Sequence, residues 1–351
     1  MHINFKQLYH KKRFWAAILV VQFLLFYLFS KIGVAISFFS TFFKLQKKLH
    51  QLLFSWIPFS FGDLLYIVLI LFLIYNSIGI LNSKRRATSI FKIIIVLNIF
   101  YFCYQVFWGM LYFQEPLLNR LPKIEVTLEK RKNLALTYLE KCKNSRSKVH
   151  EDKNGVFAIK DWRAIQQEII VQQKYIPKQF YNHGKESILS FKPSLFGHLM
   201  SFTGIAGYYN PFSAEAQYNE NLPASSLPFT LAHESAHQIG FAREQEANFI
   251  GYLIGTSSKN NELRYSAEFF TLRSLLNSIV VEDEKFVKGV VKQYSEGMQK
   301  DRAYEKEFQL LHQGIIDEIF SFTNNIFLKS NQQEGSVTYS YFVNLLVKYE
   351  E

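Results

Sequence analysis

"LPFTLAHESAHQIGFAREQEANFIGYL", residues 227–253, places two histidines and three glutamates in one amphipathic stretch. From Leu227 to Phe241 the apolar residues recur at helical spacing, which predicts an active-site helix over about 227–241. Ser225 and Ser226 are candidate N-caps, and Pro228 suits a first helical turn. At 3.6 residues per turn, His233 and His237 lie on one face, so two neutral imidazoles can fill two corners of a tetrahedral Zn2+ site. Glu234 stands about 100° around from His233 and is therefore no third ligand of that pair. Its expected role is general base on a zinc-activated water.

Gly240 can take the left-handed conformation that ends a helix, letting "GFAR" turn the chain into a second helix that begins near Ala242. On that helix Glu244 and Asn248 are four apart and share a face, whereas Glu246 points about 200° away and is expected to be solvated. The periodicity selects Glu244 as third ligand, and seven residues at up to ~3.3 Å each span the reversal from His237. The Asn248 amide oxygen is placed to accept the free N–H of a ligand histidine, fixing its tautomer. Gly251 and Gly255 extend the same face and would let the second helix come close to the first.

HESAH, residues 233–237, resembles the zincin metallopeptidase signature, and EQEAN, residues 244–248, is similar to the E-x-x-A-N element that carries the third ligand in several gluzincins. The gluzincin resemblance covers about 25 residues. The whole layout resembles an uncharacterised bacterial family with three N-terminal spans followed by a zincin-like domain of unknown function. By that likeness His233, His237 and Glu244 would hold zinc and Glu234 would be the base. The metzincin pattern H-E-x-x-H-x-x-G-x-x-H is not met, because Arg243 stands where its third histidine would be.

Outward from this stretch the chain divides unequally. Three apolar runs lie before residue 115: 14–30 (FWAAILVVQFLLFYLFS), 62–81 (GDLLYIVLILFLIYNSIGIL) and 90–113 (IFKIIIVLNIFYFCYQVFWGMLYF). The last two reach the roughly 20 residues needed to cross a bilayer as helix, and the first can be extended to do so. Lys11, Lys12 and Arg13 could head a signal peptide, but the following run is long for one and no small-x-small cleavage site follows, so a retained anchor is expected. The segment between the first two runs mixes aromatics with Lys44, Lys47 and Lys48, suiting a helix in the membrane interface. Lys and Arg cluster in the N-tail and in the 82–89 turn, which puts both in the cytoplasm and residues 115–351 outside it; the resemblance to the bacterial family implies that the membrane is a bacterial inner membrane. The resulting expectation is a membrane domain over 1–114 and an extracytoplasmic zincin-like α+β domain over 115–351, mostly α with a small β element.

The formal charge of +11 is accounted for by membrane flanks and solvated helix faces, and no nucleic-acid signature accompanies it. Cys103 and Cys142 are not expected to pair. Helical patterns follow at about 125–144 and 160–175, and short strands near 187–192 and 207–218. From 227 the pattern is helical, with breaks near 257–261, 278–283 and 331–336 and a long charged stretch over 283–330 that could pack on its own domain or meet a partner. The run GYYNPFSAEAQY is either a structural hairpin or an edge strand that pairs with substrate backbone. Tyr208, Tyr209, Tyr265, His198 and Arg243 are candidate oxyanion donors, though a structural role is the favoured reading of each, while Glu215 reads as a surface carboxylate. The expected activity is zinc-dependent hydrolysis of peptides or envelope proteins. The alternative is a catalytically silent zinc-binding sensor. A transporter is disfavoured because three spans lack paired interrupted helices, and an intramembrane protease because HESAH lies far beyond the last span. The sequence leaves the oligomeric state open.

Overall fold

A computed structural model describes residues 12–181, 190–314 and 338–351. The chain divides into two compact units, Met1–Gln114 with Asn210–Ala214, and Glu115–Tyr209 with Glu215–Glu351.

The first unit contains α1 (Lys12–Phe29), α2 (Gly33–Phe54), α3 (Phe61–Leu81) and α4 (Arg86–Phe107). Of these, α1, α3 and α4 are long and apolar enough to cross a membrane. The third span differs from expectation, ending at Phe107 and giving way to a 3-10 turn over Gly109–Phe113. The apolar run continues through that turn, so composition alone could not place the end. Side chains such as Phe23, Leu24, Leu71 and Ile78 stand exposed on the spans, as lipid-facing positions do.

Polar contacts inside this unit tie span to span. Gln22 Nε2 donates to Asn98 Oδ1 at 3.3 Å, and Asn98 Nδ2 donates to the carbonyls of Trp15 and Ile94. Gly79 meets Ser89 so closely that a Cβ there would fall 2.3 Å from its Oγ. The stretch expected at the interface is helix α2, and Lys47 on it is buried rather than facing outward. The five residues Asn210–Ala214 also belong to this unit: Phe212 lies 4.8 Å from the Phe100 ring, and Gln46 Nε2 donates to the Pro211 carbonyl at 3.1 Å.

The second unit begins with α5 (Leu128–Arg146) and α6 (Trp162–Gln173), capped by Thr127 and Asp161, whose side-chain oxygens accept helix N–H groups. A small sheet follows, made of β1 (Phe191–Pro193), β2 (Gly207–Asn210) and β3 (Glu215–Tyr218), with α7 (Gly197–Thr203) between β1 and β2. The order is β1-β3-β2, with β1 parallel to β3 and Phe191 opposite Ala216. The run at 207–218, read as either a hairpin or an edge strand, holds two strands that are neighbours in the sheet, and of the strand expected at 187–192 residues 187–189 lie outside the described residues while Phe191 and Lys192 belong to β1.

Helices α8 (Leu227–Gln238), α9 (Glu244–Thr256), α10 (Asn261–Ile279), α11 (Glu284–Lys292), α12 (Glu296–His312) and α13 (Thr338–Glu350) complete the unit. Within 283–330 the chain is interrupted between α11 and α12, and residues 315–337 lie outside the described ones, as does the break expected at 331–336. Leu263, Tyr265, Phe269, Leu272 and Leu275 put α10 at the centre of the core, where it packs against α5, α8, α9 and α13. Burying each such side chain contributes about 1.5–3 kcal/mol. Both cysteines are free thiols, as expected.

Candidate metal centre

Helix α8 buries Leu227, Leu231, Ala232 and Ala236 in the core, which leaves His233 and His237 on its remaining face. The helix ends at Gln238 rather than at 241. Gly240, at φ +105°, donates its N–H to the His237 carbonyl at 2.9 Å, and Phe241 donates to the Ala236 carbonyl at 3.2 Å. That pair of bonds is a Schellman ending, which needs the left-handed residue glycine supplies. Ser226 occupies the N-cap position but makes no side-chain cap: both Ser225 and Ser226 donate their hydroxyls to Glu305.

The turn delivers the chain to α9, whose first residue is Glu244. His233 Nε2 and His237 Nε2 lie 3.1 Å apart, and the Glu244 carboxylate stands 3.2 Å from the first and 3.6 Å from the second. His233, Glu234 and His237 each offer a ligand atom within 4.8 Å of the others. On the far side of each ring an oxygen accepts a hydrogen bond from Nδ1–H: Asn248 Oδ1 at 2.8 Å for His233, and the Phe241 carbonyl at 2.6 Å for His237. The Asn248 contact fits the spacing argument. The Phe241 carbonyl had no signal in the sequence, because a backbone oxygen carries none.

With Nδ1 protonated on both rings, two Nε2 lone pairs and a carboxylate converge on one point. Donors at about 2.0–2.1 Å from a tetrahedral zinc stand about 3.3–3.4 Å apart, close to the separations found here. The electrostatics agree. Burial lowers the His237 imidazole, yet the charge and hydrogen bond of Glu244 lift it to about 9. Burial pushes Glu244 up, but His237 and His233 hold it well below the usual carboxylate range. Positive charge is thus favoured beside the Glu244 carboxylate, and the donor set fits a divalent cation.

Residues 38–347 match a family model described as a protein of unknown function (DUF3810). The chain belongs to the DUF3810 family. The match runs from α2 into α13, so the spans α3 and α4 and the histidine cluster lie within the matched region, and α1 precedes it. No curated protein and no solved structure matches the chain.

Other site candidates of this DUF3810 chain fall elsewhere. Glu246, expected in solvent, is buried: its Oε1 accepts from Leu117 N–H at 2.9 Å and from Arg243 at 3.0 Å. Helical periodicity put Glu246 on the opposite face correctly but could not tell that the Leu117 backbone meets it there. Arg243 is thereby engaged as an ion-pair partner. Tyr265 donates its hydroxyl to Asp301 Oδ2 at 2.6 Å, deep in the core, and is no oxyanion donor. His198 is exposed on α7 beside Phe202. Tyr209 is buried on β2 and Tyr208 half-buried. Glu215, read as a surface carboxylate, is fully buried in β3.

The two glycines of α9 also part company. A Cβ at Gly251 would lie 3.1 Å from the His233 backbone nitrogen, so this glycine does let α9 approach α8 at the ligand. Gly255 faces Ala267 of α10 instead. Glu234 is 3 % exposed, and burial raises its carboxyl to about 7, with His233 and His237 opposing and Glu244 adding to the rise. Its Oε2 is buried with no hydrogen-bond partner among the described residues.

Proposed function

We propose that this chain is a membrane-anchored, zinc-dependent metallopeptidase that hydrolyses peptides or envelope proteins on the extracytoplasmic side of a bacterial inner membrane. The observation that carries the reading is the convergence of His233 Nε2, His237 Nε2 and the Glu244 carboxylate, with both Nδ1 protons already committed to oxygens. His233, His237 and Glu244 would hold the ion, and Asn248 would orient His233. Zinc held there supplies a Lewis acid for the peptide carbonyl and brings the pKa of water towards ~7.

Glu234 is the group left to move the proton. Its carboxylate takes a proton from the attacking water as the water oxygen bonds to the carbonyl carbon. It then returns that proton to the amine nitrogen as the C–N bond breaks, giving an acid and an amine. β2 is at the sheet edge among the described residues and touches Glu234 through Gly207, so an extended peptide added there would lie beside this carboxylate. The positive flanks of α1 and of the α3–α4 turn support the orientation.

The test is metal content of detergent-purified protein, measured for wild type, His237→Ala and Glu244→Ala. About one zinc per chain in wild type and near-background values in both variants are expected, since loss of one of three ligands removes most of the affinity. Pure wild type without transition metal would sink the reading. One zinc per chain with no hydrolysis of fluorescein-labelled casein would move the assignment to a silent zinc-binding sensor.

A further inference from the structure

Gly207, the first residue of β2, lies against the carboxylate of Glu234. A Cβ added at Gly207 would fall 2.8 Å from Glu234 Cγ, 2.8 Å from Glu234 Oε1 and 2.8 Å from the Gln217 carbonyl oxygen. Non-bonded carbons are comfortable at about 3.5–4 Å, so one neighbour would have to move. The Gln217 oxygen is backbone of the central strand, whereas the Glu234 carboxylate ends a rotatable side chain. Glu234 is almost wholly buried, so any shift of its carboxylate takes place inside the fold.

We propose that Gly207 is a positioning residue for Glu234: the missing side chain on β2 leaves the space in which the carboxylate is held. Any larger residue at 207 displaces the carboxylate while leaving His233, His237 and Glu244 untouched. The geometric part stands on the contacts alone. Its kinetic consequence rests on the peptidase reading.

The experiment is a double-mutant cycle on the full chain in detergent, with Gly207→Ala, Glu234→Ala and the double variant. In the native background Gly207→Ala is expected to lower the unfolding midpoint by roughly 3 °C or more, and by less than half as much once residue 234 is alanine. Equal shifts in both backgrounds would mean that glycine serves only the Gln217 strand contact, and would overturn the proposal. If Gly207→Ala folds only together with Glu234→Ala, that rescue supports it; if it folds in neither background, the cost lies in the strand and the proposal fails.

The kinetic arm uses fluorescein-labelled casein. Gly207→Ala should retain zinc and KM within about twofold while kcat falls roughly 100-fold, the scale of a misplacement near 1 Å. A rise in KM at unchanged kcat would overturn it. If wild type cleaves nothing, the peptidase reading fails while the stability cycle still decides what Gly207 does.

Discussion

Glu234→Gln is expected to reduce casein hydrolysis by about 10²–10⁴-fold while leaving zinc at one per chain. The amide is nearly the size of the carboxyl, so it fits the space bounded by Gly207, where a Cβ would lie 2.8 Å from Oε1. The three converging donors, His233, His237 and Glu244, are untouched by the change. What the amide lacks is a basic oxygen to take the proton of the attacking water. The contrast with His237→Ala is the informative part, since that variant should lose metal and activity together. A Glu234→Gln protein with full activity would remove Glu234 from the chemistry, and one that also lost its zinc would make Glu234 a ligand.

The largest stability effect is expected at a residue remote in sequence from the cluster. Asp301 on α12 is buried and accepts four bonds: Arg146 Nε at 2.6 Å, Arg146 Nη2 at 3.2 Å, Phe157 N–H at 2.8 Å and the Tyr265 hydroxyl at 2.6 Å. Asp301→Ala strips the main carboxylate from a guanidinium that is 3 % exposed and orphans a backbone N–H and a phenol. Breaking such a buried pair costs about 3–5 kcal/mol. Arg146 keeps Glu151 and the Gly155 carbonyl, which places the expected loss towards the lower end. A fall of about 10 °C in the unfolding midpoint should follow. Asp301→Asn, which retains one acceptor oxygen, should fall between wild type and alanine. A shift under about 2 °C for Asp301→Ala would show that the network contributes little.

Features that depend on neighbours along the chain were legible in the sequence. The histidine pair, the helix-ending Gly240, the placing of Glu244 with Asn248 and the three apolar helices all follow from periodicity or residue type within a short window. Features that depend on what packs against a face were not. Glu246 reads as solvated until Leu117 is seen to donate to it, and Glu215 reads as surface until the sheet is folded. Gly255 shares a face with Gly251, yet the helix it meets is α10, because one face of α9 spans two neighbours. The nearness of Gly207 to Glu234 joins residues that no periodicity relates. Tyr265, an acceptable hydroxyl donor by chemistry, is held by Asp301, which the sequence places nowhere near it.

The spacing of these contacts bears on the order in which the chain folds. All three donors and both oxygens behind the rings lie between positions 233 and 248, whereas Arg146 and Asp301 are 155 residues apart. Closing a short loop is entropically cheaper and faster than closing a long one, and a helix of about twelve residues is marginal alone. A cation captured by the 233–248 hairpin would therefore join two helices before the rest of the core exists, acting as a nucleus as well as a reagent. In refolding with Zn2+, amide protection over 233–248 is expected to precede protection of Phe157, and simultaneous onset would show that the hairpin waits for the whole core.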